Sequence, residues 1–221
     1  MKRFTLIFIV LISFVSSYSQ GSITFSDKPF VMETEKDTAL QHFLVSNGAY
    51  TSLNKDEQEV VYWINYVRLK PQEFASTILT PFLQQFPETK SSYTKSLLSE
   101  LKNMAPVQVL TPFEKLNQTS LGHAKDLGSK GLDISHSSSS GLSFQQRMNA
   151  AGFVQCVSEN IYEGRLSPLE SVIFLLIDHG VKNLGHRRNM LDSKVKKIGV
   201  GFYAIKGKPE MYFLVQDFAC E

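Results

Sequence analysis

The apolar and polar positions of the chain fall into two periods, helical through most of its length and strand-like near the end. First comes an apolar stretch from Phe4 to Val15, preceded by Lys2 and Arg3 and followed by Ser16-Ser17-Tyr18-Ser19-Gln20. A basic start, an apolar middle and a small polar end make the pattern of a secretory signal, so residues 1–20 are expected to be a signal peptide. The stretch is shorter than the ~20 residues a spanning helix needs, and no later run reaches that length, which predicts no membrane span. Residues 21–53 mix Ser, Thr and Asp with scattered aromatics and keep no sustained period. They read as a leader or N-terminal strap, with the main domain over 54–221.

Asn54 stands before Lys55-Asp56-Glu57 as a helix cap, and Val60, Trp63, Ile64 and Val67 follow at i, i+3, i+4, i+7. This predicts a helix that stops at Leu69 or Lys70, before Pro71. Further helices are expected from about Lys90 to Met104, from Pro112 to Lys130 (capped by Thr111, stopped by Gly131) and from about Ser143 to Ala151. Pro168 opens another, whose run Val172-Ile173-Phe174-Leu175-Leu176-Ile177 reads as buried nearly all round. The period then changes. Ile198, Val200 and Phe202 alternate, as do Met211, Phe213 and Val215, with Gly207-Lys208-Pro209 between them, which predicts a β-hairpin. Helices first and a hairpin last indicate an α+β architecture rather than a parallel sheet.

Composition adds that this is an ordinary globular chain: 221 residues, 43% hydrophobic and 20% charged. The formal charge of +2 is less informative than it looks, because residues 1–20 hold two basic groups and no acidic one, leaving 21 of each. A formally neutral mature chain disfavours nucleic acid as a partner, since phosphate backbones need a net basic field. Export makes Cys156 and Cys220 candidates for one disulfide, with two separate thiols as the alternative.

Several enzyme signatures are absent: Gly-x-Ser-x-Gly, His-Glu-x-x-His, a phosphate-binding Gly-rich loop and Cys-x-x-Cys. What remains is a spread of ionisable residues in apolar or turn-like settings. They are His136 in the loop Ser135–Gly141, Glu159 in Ser158-Glu159-Asn160-Ile161, Asp178 at the end of the buried helix, and His186 in Gly185-His186-Arg187-Arg188-Asn189. Taken singly, each also has a structural role open to it: a solvated loop histidine, a turn or strand-edge carboxylate, a partner for Arg187 or Arg188, a helix-start residue.

Taken together, in this order, the chain resembles the CAP superfamily, named for cysteine-rich secretory proteins, antigen 5 and pathogenesis-related proteins. The resemblance spans about Leu53 to Ala219. It is carried by Asn65-Tyr66-Val67-Arg68, Ser135-His136-Ser137, the segment Arg147 to Gly152, Ser158-Glu159-Asn160-Ile161, Gly185-His186-Arg187-Arg188-Asn189 and Ile198-Gly199-Val200-Gly201. It implies a three-layer α-β-α sandwich around a small antiparallel sheet, and a cleft in which His136, Glu159, Asp178 and His186 converge. Asp178 stands where eukaryotic members usually carry Glu, and the segment from His136 to Glu159 is longer than in plant members; both features resemble the bacterial branch. His179, beside Asp178, is a substitute ligand.

Two imidazoles and two carboxylates suit zinc or another divalent metal, and equally suit proton sharing without one. A serine from Ser135 or Ser137 to Ser140 is the nucleophile candidate, although a flexible Ser-rich loop lacks the fixed geometry and oxyanion donors of a triad. Whether the chain is an enzyme stays open. The first reading is a secreted or periplasmic module binding a small molecule, lipid, glycan or protein in this cleft, with or without the metal. The alternatives are a secreted hydrolase, peptidase or esterase, using the same cleft, and a structural or surface-interaction protein.

Overall fold

The computed structural model describes residues 28–30, 32, 35–165 and 167–220. The expected signal peptide, residues 1–20, lies outside the described residues, as does the leader up to residue 27. Within the rest of the strap the structure differs from expectation: Thr38–Val45 (α1) and Gly48–Thr51 (α2) are helices, capped by the side chains of Asp37 and Asn47. They are too short to establish a period in the sequence, and tertiary burial of Leu40, Leu44 and Tyr50 holds them.

Lys55–Leu69 (α3) begins with a reciprocal capping box between Asn54 and Glu57. Glu57 does more than cap, because its Oε1 accepts from the Phe202 amide at 3.1 Å and so ties the helix start to the sheet. The expected apolar stripe understates the burial: every residue from Val60 to Arg68 is buried, polar Asn65 and Arg68 included. Pro71 starts a further run of helix, Pro71–Phe74 (α4), a π-helical segment Ala75–Leu79 and Thr80–Gln85 (α5), beyond the elements that the sequence pattern predicts. Ser92–Asn103 (α6) lies inside the expected range.

Thr111–Pro112 is a strand, β1, instead of a helix start. The Thr111 amide donates to Lys196 O and the Phe113 amide to Ile198 O, so the backbone groups there belong to a sheet ladder. The helix begins later, as Glu114–Lys130 (α7), and ends on left-handed Gly131 as expected. Phe144–Ala150 (α8) follows its Ser143 cap. Then come Val157–Arg165 (β2), Pro168–Ile177 (α9), Gly185–Leu191 (α10) and the expected hairpin, Lys197–Ala204 (β3) and Met211–Ala219 (β4).

The sheet order is β1-β3-β4-β2. β2 and β3 are both antiparallel to β4, while the two-residue β1 runs parallel to β3, so the sheet is antiparallel except at that edge. α7 covers one face; α3, α9 and α10 cover the other, giving three layers. Strand alternation sorts the side chains between them. Ile161, Phe213 and Val215 pack with Ala124 and Leu127 of α7, while Tyr162, Leu214, Phe218, Val200 and Phe202 join the larger core under α3 and α9. α7 reaches the sheet because β3 offers glycines there: a Cβ on Gly199 or Gly201 would lie 2.1 Å from Leu116 C or 2.3 Å from Leu121 Cα.

Cys156 and Cys220 form a disulfide, with Cα atoms 5.6 Å apart. It closes the end of the β2–β4 ladder, next to the pair Val157–Ala219. Among the described residues no helix is long and apolar enough to cross a membrane.

Candidate functional site

β2 is an edge strand, and its alternation sends Glu159 and Asn160 to opposite faces. On the α7 side, His136 Nδ1 lies 2.8 Å from Glu159 Oε1. An ionised carboxylate can only accept, so Nδ1 carries the proton. Arg147 closes the arrangement from α8, giving one nitrogen to Glu159 Oε2 at 2.5 Å and another to His136 O at 2.8 Å. Burial alone would push the Glu159 carboxyl up; the His136 hydrogen bond and the charges of Arg147, His123 and His136 outweigh it, and the group sits below the ordinary range.

On the other side, Asp178 ends α9 in the left-handed conformation, φ 57°. This turn aims its carboxylate at α10. Oδ1 lies 2.7 Å from His186 Nδ1, and Oδ2 accepts the His186 and Arg187 amides at 3.0 and 3.3 Å. Asp178 therefore orients one imidazole and satisfies the start of a helix with the same group. Asn160 joins the two regions: its amide donates to His186 O at 3.1 Å, and Asn189 donates to its oxygen at 2.8 Å.

The four expected residues are thus placed as two buried His–carboxylate pairs, one on each face of β2. Among the described residues no three His, Cys, Asp or Glu side chains are gathered for a metal ion. His179 lies with its ring 5.2 Å from that of Tyr93. In the serine loop, Ser138 and Ser140 hydroxyls bond each other, and Ser139 bonds Asp126 through both its amide and its hydroxyl.

Other residues that carried the resemblance hold the scaffold. Buried Arg68 donates to the carbonyls of Gln108, Met190, Asp192 and Val195, and desolvation lowers it to about 10. Arg187 does the same for Leu176, Ile177 and Tyr93. Asn65 makes paired bonds with the backbone of Leu110.

Sequence reasoning missed two titratable groups beside the first pair. Asp217 of β4 lies directly across from Glu159. Its Oδ2 accepts from Thr119 at 2.8 Å, and its Oδ1 has no hydrogen-bond partner among the described residues. Burial, then the charge of Glu159, pushes this carboxyl well above its ordinary range, so the two cross-strand carboxyls are driven in opposite directions. His123 of α7 donates from Nε2 to Ser135 O at 2.8 Å, and burial pushes its pKa down. Both interrupt apolar periods, Asp217 the series Met211, Phe213, Val215 and His123 the stripe of Leu116, Ala124 and Leu127, and that interruption was the available signal.

Comparison with known proteins gives a match of residues 61–218 to the model of the cysteine-rich secretory protein family, CAP. Comparison with curated proteins gives no match. Among solved structures, an extracellular protein containing an SCP domain from Bacillus anthracis is 17% identical with a TM-score of 0.41, over 68% of this chain and 40% of that one. An outer surface protein of Borrelia burgdorferi is 19% identical with a TM-score of 0.41, over 51% and 78%. A cysteine-rich secretory protein of Staphylococcus aureus is 12% identical with a TM-score of 0.35, over 61% and 39%. The chain spans less than half the length of the first and third of these.

Proposed function

Because the chain belongs to the cysteine-rich secretory protein (CAP) family, we propose that it acts as an exported binding module whose ligand meets the edge of β2, where the His136–Glu159 and Asp178–His186 pairs lie. The carrying observation is that each imidazole has its Nδ1 held by a buried carboxylate, at 2.8 and 2.7 Å. That contact fixes tautomer and ring plane before any ligand arrives, which reduces the ordering cost of binding. The signal-like residues 1–20 and the disulfide support export.

The donor set fits zinc or a similar divalent ion in part. A carboxylate on Nδ1 is the arrangement that orients a metal-bound histidine, so His136 and His186 would be the ligands and Glu159 and Asp178 their supports. Such an ion would supply a Lewis-acidic anchor for a ligand oxygen. The side chains as placed form no three-ligand group, and binding is therefore assigned to the imidazoles and their carboxylates without a step through a metal.

The test is titration of the purified protein with zinc chloride, and separately with a glycan, a sterol and a fatty acid, read by calorimetry and by shifts of the imidazole resonances. Binding that weakens at least tenfold in His136→Ala or His186→Ala supports the reading. Variants that lose stability while no probe binds the wild type would assign the pairs to the scaffold instead. Turnover of a peptide or ester that collapses in Glu159→Gln would replace binding with hydrolysis.

A further inference from the structure

Beyond the two histidine pairs, the chain has a groove of about 480 Å³ that shares none of their residues. It lies where the start of α7, the loop after α8 and the disulfide-closed end of the sheet meet. Phe113 and Phe153 form its aromatic side, ring centroids 5.8 Å apart and edge to face. Val154 lines it while 67% exposed, the most exposed large apolar side chain among the described residues. Cys156 of the disulfide lines it as well.

Lys115 and Lys197 reach the same groove. Lys197 Nζ lies 4.4 Å from the centre of the Phe113 ring, where the π face partly compensates its charge. Among the described residues neither lysine forms an ion pair, and no carboxylate lines the groove. One ammonium group over an aromatic ring, with a second lysine lining the same partly exposed apolar surface, makes a site of one chemical sense: an anionic head with a flat apolar body. The volume lies within the range of about 300–1,000 Å³ usual for small-molecule sites.

We propose that this groove is a second binding site, selective for a small aromatic carboxylate. The carboxylate pairs with Lys197 and Lys115, and the ring packs against the surface made by Phe113, Phe153 and Val154. Lys197, half-buried beside the ring, contributes more than exposed Lys115, because a less hydrated pair is less screened.

The experiment uses 2-naphthoate as the probe and amide chemical shifts of the whole protein as the readout. Saturable shifts at Phe113, Phe153 and Val154 are expected. Lys197→Gln should weaken the dissociation constant roughly tenfold and Lys115→Gln roughly threefold. The neutral 2-naphthamide should bind at least about tenfold more weakly than the carboxylate. Both lysines are solvent-accessible, so the Gln variants are expected to keep the wild-type spectrum outside the groove, which the same data verify. The proposal is overturned if 2-naphthoate causes no shifts at those three residues up to about 1 mM. It is equally overturned if the amide binds as well as the acid, or if a folded Lys115→Gln/Lys197→Gln protein binds like the wild type.

Discussion

Alanine at position 199 tests the claim that β3 and α7 pack backbone to backbone. A Cβ there would lie 2.1 Å from Leu116 C, 2.3 Å from Leu116 O and 2.4 Å from Asn117 N. These are main-chain atoms, so no rotamer relieves the clash, and the 17-residue helix must withdraw from the sheet. Reaching 3.4 Å from 2.1 Å requires a movement of about 1.3 Å. A gap of ~1 Å already forfeits roughly half the dispersion attraction of each facing atom pair. Ala124 and Leu127 pack in that interface with Ile161, Phe213 and Val215, and Leu116 packs with Phe144, Met148 and Ala219. The expected loss is about 4 kcal/mol, comparable to a large core truncation. Gly122 of the same helix is the control: nothing lies within 4 Å of its Cβ. Gly122→Ala should therefore stabilise the protein by about 0.5–1 kcal/mol through helix propensity. Urea unfolding followed by circular dichroism reads both from the midpoint at constant slope. A cost below about 1 kcal/mol for Gly199→Ala would refute the close-packing argument.

The opposed carboxyls predict opposite pH responses, measurable by thermal melts between about pH 2 and 8. Asp217 is raised in the folded state, so its stabilising share is present below the ordinary carboxylate range and is lost as pH rises through its folded value, at up to ~1.4 kcal/mol per pH unit. The wild type should accordingly lose ground to Asp217→Asn on going from acid to neutral pH. Glu159 is lowered, so its share is present above the ordinary range and is lost as pH falls through its folded value; the advantage of the wild type over Glu159→Gln should vanish on acidification. Differences independent of pH would contradict both assignments. Arg68→Met leaves the Gln108, Met190, Asp192 and Val195 carbonyls without that donor and should cost about 3–5 kcal/mol in chemical denaturation. Replacing Cys156 and Cys220 by Ala opens a loop with a sequence separation of 64, and the chain-entropy model puts the loss at about 4 kcal/mol, read from the same melts.

The elements that could be read along the chain are those built from contacts within a few residues. Asn54 with Glu57, Ser143 before Phe144 and Gly131 after Lys130 each satisfy backbone groups locally, and each marks a helix end where the sequence placed it. Thr111-Pro112 went the other way because a partner strand far along the chain takes its backbone groups. α1 and α2 escaped notice because tertiary burial holds such short helices. In the candidate site, His136, Glu159, Asp178 and His186 were all singled out in the sequence, whereas Asp217 and His123 were overlooked as polar interruptions of apolar series.

The sequence by itself determined the helices α3, α6, α7, α8 and α9 and the β3–β4 hairpin, the order of the family-like motifs and the identity of four ionisable residues. Tertiary structure decided what those residues face. Successive side chains of a strand point to opposite sides, so adjacent Glu159 and Asn160 enter different layers, and only the strand register brings Asp217 opposite Glu159. Charge state was decided at the same level, because desolvation and neighbouring charges depend on three-dimensional surroundings that no local spacing encodes.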